Sequence, residues 1–372
     1  MNIAFGIVSL VPKGGLQLDC VALARMLKAR GHNVTIFTTR PFQFDPPSPD
    51  IVVLPVRSFT NHGRDIAFAR AFRSVVHGRF DRIVGFNKLL DLELLYCADP
   101  SVHDKRRKWL VRAMPRHRAQ MQLEEACFAP ANRTIIMALS QASADSYRHY
   151  WKTPEDRFTV LPPVVNPHRH RPELRSVEHR ASNRRAFDLP ARQPVWLWVG
   201  TKAKTKGLDR AIAALRSIPE AFLAVLGLAS DSPESRGVWP RIQSAGLSDR
   251  VRFLGYRDSV PEVMAAADLL VHPTRRDVTG QVVMEAVVNG LPVITSKVCG
   301  FAKYVAEADA GIILSEPYRQ GELETALRDA MNQARNAAFS QNGLHYGLHH
   351  FPMTGLVAAA DFIENKGRPA SP

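Results

Sequence analysis

The chain has 372 residues, of which 45% are hydrophobic and 23% are charged. It carries 49 Lys and Arg against 35 Asp and Glu, which gives a formal net charge of +14. This composition excludes a disordered or fibrous protein, and the length favours two globular domains. The excess of positive charge should attract anions, and nucleic acid, acidic lipid headgroups and phosphorylated substrates all fit such a field.

The first forty residues have the pattern of a strand, a glycine turn, a helix and a second strand. Residues 3–10 are apolar, Gly14 and Gly15 follow, and the apolar residues of 16–27 recur at helical spacing. Further strand candidates at 51–56, 82–85 and 134–139 are separated by stretches of helical composition. Such alternation predicts a parallel sheet covered by helices, and we place this N-terminal domain at residues 1–165.

The second half of the chain repeats the alternation after a change of composition. Residues 166–194 combine several prolines with dense charge, which is typical of an exposed linker. Apolar segments then alternate again at 195–199, 208–215, 222–226, 251–254, 260–267, 269–272, 282–288, 292–296, 301–306 and 311–314. We therefore expect a second parallel α/β domain at 195–350, followed by a terminal helix and tail at 351–372 that could cross back to the N-terminal domain.

The cysteines and the apolar segments bear on the compartment. Cys20, Cys97, Cys127 and Cys299 are too scattered for a zinc site or a disulfide scaffold, so we expect reduced thiols. The first fifteen residues lack a basic region and a cleavage site, which favours a buried strand over a signal peptide. No apolar run is long enough to span a bilayer. These features predict a cytoplasmic protein.

Two glycine-containing turns are candidates for phosphate binding. Gly14 and Gly15 lie between the first strand and its helix, where a missing Cβ lets backbone N–H groups approach a phosphate, although a plain tight turn explains them equally well. In the second domain, Gly200 ends a strand, and Lys202, Lys204 and Lys206 precede a helix near Gly207. A helix dipole and an ammonium group at one point would bind a diphosphate; the alternative is a solvated lysine-rich loop.

The most informative segment runs from the strand at 269–272 to the strand at 292–296. An irregular loop carries Asp277 and Gly280, and a helix then places Glu285 within its first turns. Backbone N–H groups at 278–281 can meet a phosphate or sugar hydroxyls, while the two carboxylates accept hydrogen bonds from hydroxyls. Loop and helix together are suited to binding a polyol.

The glycine pair at 14–15, Lys206-Gly207 and the segment Asp277-x7-Glu285, in this order, resemble the retaining glycosyltransferases of family 4. The similarity is strongest to those members that add glucose to the inner-core heptose of lipopolysaccharide. Supporting stretches are GGLQLD (14–19), RGHNV (30–34), VRSFTNHGR (56–64), RIVGFNK (82–88), AADLLVHP (266–273) and VCGFAKYVAEADAGIIL (298–314). The resemblance spans nearly the whole chain. It implies the GT-B fold, in which two Rossmann-like domains with parallel sheets face across a cleft, the first binding the acceptor and the second the nucleotide sugar.

The resemblance also implies roles for single residues of the second domain. Glu285 matches the glutamate that holds the donor ribose, and Lys206 matches the lysine on the donor diphosphate. Asp277 matches a glutamate that contacts the donor sugar, and Val278, Thr279 and Gly280 match the amides beside it. Asp277 departs from the family pattern, because aspartate is one methylene shorter.

Two further positions of the second domain leave alternatives open. Thr205 stands where the family often has an arginine, and Lys204 or Lys202 could supply that cation without the bidentate fork of arginine. Arg257 matches the loop around the nucleotide base, and a surface arginine explains it equally well.

In the first domain, Asp19 and Asp99 match acidic positions near the reacting centre. A plain helix-start or loop carboxylate explains each of them equally well. His62 and Arg64, together with Asn87 and Lys88, add polar and cationic groups that could bind a phosphorylated acceptor; the alternative is a turn with a solvated arginine.

A basic segment in the first domain, from Asp104 to Phe128, is a candidate membrane surface. Its basic and apolar residues include Lys105, Arg106, Arg107, Lys108, Trp109 and Arg112. Basic residues near an anionic leaflet contribute about 1 kcal/mol each, so we expect peripheral binding to the cytoplasmic face of the inner membrane. A solvated basic face is the alternative, because Pro115 interrupts the stretch.

The family transfers sugars with retention of configuration, and a front-face substitution is the usual proposal for it. Lys206, the amides near Gly15 and the dipole of the helix after Gly207 would then stabilise the leaving group. The resemblance therefore implies UDP-glucose as donor substrate, a lipopolysaccharide core acceptor, no cofactor and no metal. One alternative is a family 4 enzyme with another nucleotide sugar or glycan acceptor. A basic nucleic-acid-binding protein is the other, but no RNA motif interleaves aromatic with basic residues, so we expect no nucleic-acid partner.

Overall fold

The computed structural model describes residues 1–10, 15–41, 50–103, 114–350 and 354–365. The chain divides after Pro162 into two compact units, and the described C-terminal residues, 354–365, belong to the first of them. Each unit is built on a parallel sheet.

The first unit contains a seven-stranded parallel sheet in the order β3-β2-β1-β4-β5-β6-β7. Its strands are β1 (Asn2–Gly6), β2 (Asn33–Thr38), β3 (Asp50–Val53), β4 (Arg82–Gly85), β5 (Leu94–Cys97), β6 (Ile135–Ala138) and β7 (Phe158–Val160). Its helices before Pro162 are α1 (Gly15–Ala29), α2 (Asn61–Val76), α3 (Pro115–Phe128) and α4 (Gln141–Trp151). The strand order reverses between β1 and β4, the position where ligands bind in such sheets.

The last described helix of the chain, which we call α14 (Gly355–Glu364), packs against α1 in this first unit. Arg30 joins the two helices, because its guanidinium donates to Asp361 and to Glu364 at 2.7 Å each. Arg82 donates to the carbonyl oxygen of Ile363 at 3.1 Å. The apolar side of α14 thereby completes the core around β1.

The second unit contains a six-stranded parallel sheet in the order β10-β9-β8-β11-β12-β13. Its strands are β8 (Val195–Val199), β9 (Phe222–Leu226), β10 (Val251–Gly255), β11 (Leu269–His272), β12 (Val293–Ser296) and β13 (Gly311–Leu314). Its helices are α5 (Val177–Ala186), α6 (Leu208–Arg216), α7 (Pro233–Arg236), α8 (Trp239–Ser244), α9 (Val260–Ala266), α10 (Gln281–Val288), α11 (Ala302–Glu307), α12 (Gln320–Ala330) and α13 (Gln333–His350).

Residues 166–194, whose composition suggests a linker, are folded onto this second unit. Helix α5 packs against α9, and Arg184 is only 4% exposed. Its guanidinium donates to the carbonyl oxygen of Ala266 at 3.0 Å and to the carboxylate of Asp268 at 2.6 Å. Arginine side chains here satisfy carbonyl groups at the end of a helix, which explains why a charged segment is buried.

The two parallel sheets confirm the prediction of two Rossmann-like α/β domains. The four cysteines are free thiols and all are buried. Within the described part of the chain, every helix is too short or too polar to cross a bilayer.

Candidate functional site

The candidate site of the second unit lies where two neighbouring strands end. Strands β8 and β11 are adjacent in the sheet although β9 and β10 lie between them in sequence, so they mark the reversal of strand order. The loop after each strand leads into a helix whose N-cap is a glycine in the left-handed region: Gly207 with φ 75° before α6, and Gly280 with φ 82° before α10. Two helix N-termini, each with free N–H groups, are therefore available to an anion at this edge.

Both glycines are required by close packing as well as by their backbone angles. A Cβ at Gly207 would lie 2.0 Å from the carbonyl oxygen of Pro273, and a Cβ at Gly280 would lie 2.3 Å from Sγ of Cys299. The first contact shows that the backbones of the two loops touch. An alanine at position 207 would force the two loops apart, and an alanine at position 280 would displace the side chain of Cys299.

Side chains fix the two loops to one another. The backbone N–H of Arg275 donates to the carbonyl oxygen of Thr205 at 2.8 Å, and the hydroxyl of Thr274 donates to the same oxygen at 3.0 Å. The guanidinium of Arg275 also holds Asp209 of α6 in a bidentate pair, at 2.7 and 2.8 Å. The loop with the lysines and the loop with Asp277 thus form one surface.

The charges of this surface meet at Asp277. The ammonium group of Lys206 forms an ion pair with Oδ2 of Asp277, and Nε2 of the fully buried His272 lies 2.9 Å from the same oxygen. Burial by itself raises the pKa of Asp277, but the hydrogen bond from His272 and the charge of Lys206 outweigh it and hold the pKa below the usual range. Asp277 is therefore ionised.

Glu285 has a cationic partner that the sequence did not reveal. It is 5% exposed on α10, and Nη1 of Arg169 donates to both of its carboxylate oxygens, at 3.0 and 3.1 Å. Asn289, at the end of α10, donates to the carbonyl oxygen of Arg169 at 2.7 Å and accepts from the backbone N–H of Arg171 at 2.6 Å. Burial raises the pKa of Glu285, while the charge of Arg169 opposes this effect. Arg169 is 116 positions away and follows Pro167, where no local pattern indicates a site.

The other second-unit residues predicted for the donor site lie in different surroundings. A turn over residues 299–301 holds the Asp277 loop, because the N–H of Gly300 donates to the carbonyl of Asp277 and that of Phe301 to the carbonyl of Thr279, at 3.0 and 2.7 Å. Lys204 is exposed beside the loop. Arg257 is also exposed, donates to the carbonyl of Leu254 at 2.9 Å and lies over the ring of Phe187.

In the first unit, the two candidate carboxylates have different surroundings. Asp19 is 7% exposed on α1, and the hydroxyl of Tyr96 donates to its Oδ2 at 3.0 Å. Burial raises the pKa of Asp19 to about 6, and the Tyr96 hydrogen bond opposes the shift only partly. Asp99 is exposed after β5. Gly15 begins α1, whereas Gly14 lies outside the described residues.

Lys88 and Asn87 have partners within the first unit. Nζ of Lys88 lies 2.6 Å from Oε2 of the fully buried Glu124 and donates to the carbonyl of Pro100 at 3.1 Å. Oδ1 of Asn87 accepts from the N–H of Val8 at 2.9 Å. Lys88 is therefore committed to an internal ion pair rather than presented to a phosphate.

The other polar candidates of the first unit lie at the start of α2 or outside the described chain. His62 and Arg64 belong to the first turn of α2, and Arg64 donates to Oδ1 of Asn61 at 2.8 Å. The basic residues at 105–112 lie outside the described residues.

In the second unit, two helix N-termini lie beside the ion pair of Lys206 and Asp277. The second carboxylate, Glu285, lies just over one turn into the helix that follows Gly280. Such an arrangement suits a ligand that carries both phosphate and hydroxyl groups. Among the described residues, His272, Asp277 and Cys299 also bring three groups capable of binding a metal within 4.8 Å of one another.

Comparisons with known proteins match this arrangement. The family model described as Glycosyltransferase Family 4 matches residues 13–169, and the model described as Glycosyl transferases group 1 matches residues 179–345. The lipopolysaccharide glucosyltransferase WaaG of Escherichia coli (strain K12) is 34% identical over 356 residues, which are 93% of this chain and 94% of that protein. A D-inositol 3-phosphate glycosyltransferase of Corynebacterium aurimucosum is 26% identical over 389 residues, covering 95% of this chain and 90% of that protein.

Solved structures agree. The crystal structure of WaaG, described as a glycosyltransferase involved in lipopolysaccharide biosynthesis, superposes with a TM-score of 0.89 at 33% identity, covering 97% of this chain and 99% of that chain. The structure of Anabaena Alr3699/HepE with UDP-glucose superposes with a TM-score of 0.76 at 18% identity, covering 98% and 99%, which is a likeness of fold alone.

Proposed function

We propose, from the premise that this chain belongs to glycosyltransferase family 4, that it transfers glucose from UDP-glucose to an inner-core heptose of lipopolysaccharide with retention of configuration. The relative that is 34% identical over most of both chains is a lipopolysaccharide glucosyltransferase, and a neighbour of the same fold binds UDP-glucose. Hexosyl transfer follows from the family. The identities of the donor and of the acceptor are what we propose.

The meeting of Lys206 and Asp277 between two helix N-termini, with Glu285 buried nearby on α10, is the observation that carries this proposal. When the donor binds, its diphosphate would replace Asp277 as the ion-pair partner of the Lys206 ammonium. Asp277 would then accept a hydrogen bond from a sugar hydroxyl. Glu285 would accept from the two ribose hydroxyls, since a carboxylate held by one Nη1 keeps lone pairs free on both oxygens.

The same groups would lower the barrier to glucosyl transfer. When the bond between C1 of glucose and the diphosphate oxygen breaks, negative charge grows on the leaving phosphate. Lys206 and the dipoles of α6 and α10 would stabilise this charge at a preorganised site. We therefore propose that transfer needs no metal ion.

The acceptor would bind to the first unit, and lipopolysaccharide precursors are anchored in a membrane. We propose that the basic segment with Lys105, Arg106, Arg107, Lys108, Trp109 and Arg112 brings the enzyme to the cytoplasmic face of the inner membrane. The flank before this segment is anchored, because the N–H of Val102 donates to Glu124 at 2.9 Å and the ring of His103 stacks on Tyr150 at 4.7 Å. Cosedimentation with anionic and neutral liposomes should separate wild type from a variant with residues 105–108 changed to Gln.

A family 4 transferase with a different nucleotide sugar is the second candidate. It is favoured by Asp277, which is shorter than the family glutamate and is already held by Lys206 and His272. A carboxylate with less reach would contact a different hydroxyl of the sugar.

Thermal unfolding with a panel of nucleotide sugars tests the donor. UDP and UDP-glucose at about one hundred times the dissociation constant should stabilise the protein by about 2.7 kcal/mol, and Glu285→Ala should lose most of this gain. Arg216→Ala, at an exposed position in the last turn of α6, is the control. Stabilisation by GDP-mannose or ADP-heptose alone would select the second candidate, whereas stabilisation by RNA alone would contradict both.

A further inference from the structure

Three side chains of different chemistry meet beside the donor loop of the second unit. One ligand atom from each of His272, Asp277 and Cys299, namely a ring nitrogen, a carboxylate oxygen and Sγ, lies within 4.8 Å of the other two. Nε2 of His272 is 2.9 Å from Oδ2 of Asp277. Imidazole, carboxylate and thiolate are the ligands that Zn²⁺ takes in proteins, at about 2.0–2.3 Å. Tetrahedral bonds of that length separate the ligand atoms by roughly 3.3–3.7 Å, so shifts of about 1 Å would complete a three-ligand set.

Gly280 packs directly against the thiol of Cys299 and close to the carboxylate of Asp277. A Cβ placed on Gly280 would be 2.3 Å from Sγ of Cys299 and 3.7 Å from Oδ2 of Asp277. Gly280 carries no Cβ, so the thiol can lie against the backbone beside the carboxylate. Any other residue at position 280 would displace Cys299.

The backbone fixes these groups before any ion arrives. Asp277 and Cys299 form a parallel bridge, and the N–H of Gly300 donates to the carbonyl of Asp277 at 3.0 Å. His272 ends strand β11 and is fully buried, so its ring has little freedom. A preformed site loses little conformational entropy when it binds.

We propose that His272, Asp277 and Cys299 form an inhibitory site for Zn²⁺ or a similar borderline-soft cation, which takes the place of the Lys206 ammonium at Asp277. The cation forms bonds to Nε2, Oδ2 and Sγ. The proton on Nε2 moves to Nδ1, which has no hydrogen-bond partner among the described residues, and the thiol proton of Cys299 leaves to solvent as the bond to sulfur forms. A water molecule completes four-coordination. Lys206 turns outward, since its side chain is 26% exposed.

The metal would compete with the donor, a consequence that rests on the proposed function. The cation displaces the lysine needed by the diphosphate and occupies the carboxylate that would bind the sugar hydroxyl. Two of the three ligand atoms are nitrogen and sulfur, so the site excludes Mg²⁺, which prefers oxygen ligands, and selects ions that bind sulfur.

Metal-free protein titrated with Co²⁺ and Zn²⁺ tests the site without any donor. A second binding place must first be removed: His345 and His349 lie on exposed turns of α13 with ring centroids 4.3 Å apart, a spacing that chelates metals. The double variant His345→Gln/His349→Gln serves as background. In it we expect one equivalent of Co²⁺ with a sulfur-to-metal charge-transfer band, displaced by Zn²⁺. Cys299→Ala should remove the band and weaken Zn²⁺ binding at least tenfold.

Activity then separates this inference from the proposed function. Zn²⁺ should inhibit transfer competitively with UDP-glucose, a chelator should restore the rate, and Cys299→Ala should resist inhibition by at least tenfold. Binding without the charge-transfer band, or unchanged affinity in Cys299→Ala, would overturn the site. Loss of activity on removal of metal would overturn its inhibitory role. A normal band and affinity together with no transfer from UDP-glucose would leave the metal site standing and contradict the proposed function alone.

Discussion

The second unit holds its two candidate carboxylates by cations, whereas the first unit holds Asp19 without one. Asp277 is paired with Lys206, and Glu285 with Arg169. Asp19 has the uncharged hydroxyl of Tyr96 as its partner, and burial raises its pKa to about 6. Carboxylates paired with cations stay ionised and can exchange a partner for a ligand. Asp19, by contrast, changes charge close to neutral pH.

The lysines of the two units also differ in how easily they can leave their carboxylate partners. Lys206 is 26% exposed and reaches Asp277 from a loop. Lys88 is 12% exposed and faces Glu124, which Ser101 and Trp151 also bind, at 2.6 and 2.9 Å. A loop cation can turn toward a phosphate at small cost, whereas removal of Lys88 would leave a buried charge alone. The comparison assigns ligand binding to the first pair and stability to the second.

Loss of Lys206 should give the largest effect. Lys206→Ala removes a charge aimed at the leaving phosphate, so we expect transfer to fall by roughly 10²–10³-fold. The loss of thermal stability should be smaller than that of Lys88→Met, because His272 still contacts Asp277. Initial rates and melting curves measure both quantities. Arg216→Ala, at an exposed position in the last turn of α6, should retain most of the rate. Equal rates in Lys206→Ala and wild type would remove the proposed donor site.

Loss of Lys88 should have the opposite effect: it should lower stability and leave donor binding unchanged. Lys88→Met leaves Glu124 buried without its cation, and we expect the free energy of unfolding to fall by about 3–5 kcal/mol. Stabilisation by UDP should be unchanged wherever the variant is folded, since the donor groups lie in the other unit. Lys28→Met is the control, because its pair with Asp50 is exposed at 3.9 Å and contributes only about 0–1 kcal/mol. Equal melting of the two variants would contradict the structural role.

The role of Arg169 can be tested by pH. Burial raises the pKa of Glu285 and Arg169 opposes the shift, so Arg169→Gln should raise that pKa further. Because the ribose hydroxyls need the ionised carboxylate, binding is present above the folded pKa and is lost as pH falls through it. We expect the KM for the donor to rise about tenfold, or 1.4 kcal/mol, and more steeply at acid pH than in wild type. Arg169→Lys should restore the wild-type profile in part. A uniform increase at every pH would indicate a packing role only.

The raised pKa of Asp19 predicts the opposite pH dependence, in this case of the free energy of unfolding. A carboxyl group whose folded pKa exceeds its unfolded value stabilises the fold when protonated. That contribution is complete below the usual value of 3.8 and is lost as pH rises through about 6. Asp19→Asn should therefore be more stable than wild type at about pH 8 and similar to it at about pH 4, as measured by denaturant unfolding. Asp99→Asn, exposed on a loop, should track wild type at both values.

Sequence patterns predict the two units and the site loops of this protein. They do not predict which charged side chains pair with one another. Alternating strands and helices and paired glycines are local, so they indicate both sheets and the loops at Lys206 and Asp277. Strand β5 (Leu94–Cys97) is a short apolar run without alternation, and no pattern marks it. The ion pairs of Glu285 with Arg169 and of Lys88 with Glu124 join positions far apart in the chain, and only packing brings them together.

The smallest effect should come from Asp277→Glu, which restores the residue typical of the family. The added methylene moves the carboxylate by over an ångström, roughly half a hydrogen-bond length, while Lys206 and His272 still approach it from fixed positions. Glutamate can keep one of these contacts by bending back toward β11, or it can reach further into the donor sugar and weaken both. We expect a change in rate within about tenfold, or 1.4 kcal/mol, and a shift in the preference among UDP-sugars that is larger than the change with UDP-glucose itself. Competition between UDP-glucose and UDP-galactose in one reaction measures that preference directly.

Addition of His272→Asn to the Asp277→Glu variant separates the two contacts. If glutamate bends back to the histidine, loss of His272 should alter its donor preference as strongly as it does in the aspartate enzyme. An unchanged rate and preference in Asp277→Glu would mean that position 277 does not touch the sugar, and the charge of Asp277 would then serve only to hold Lys206 in place.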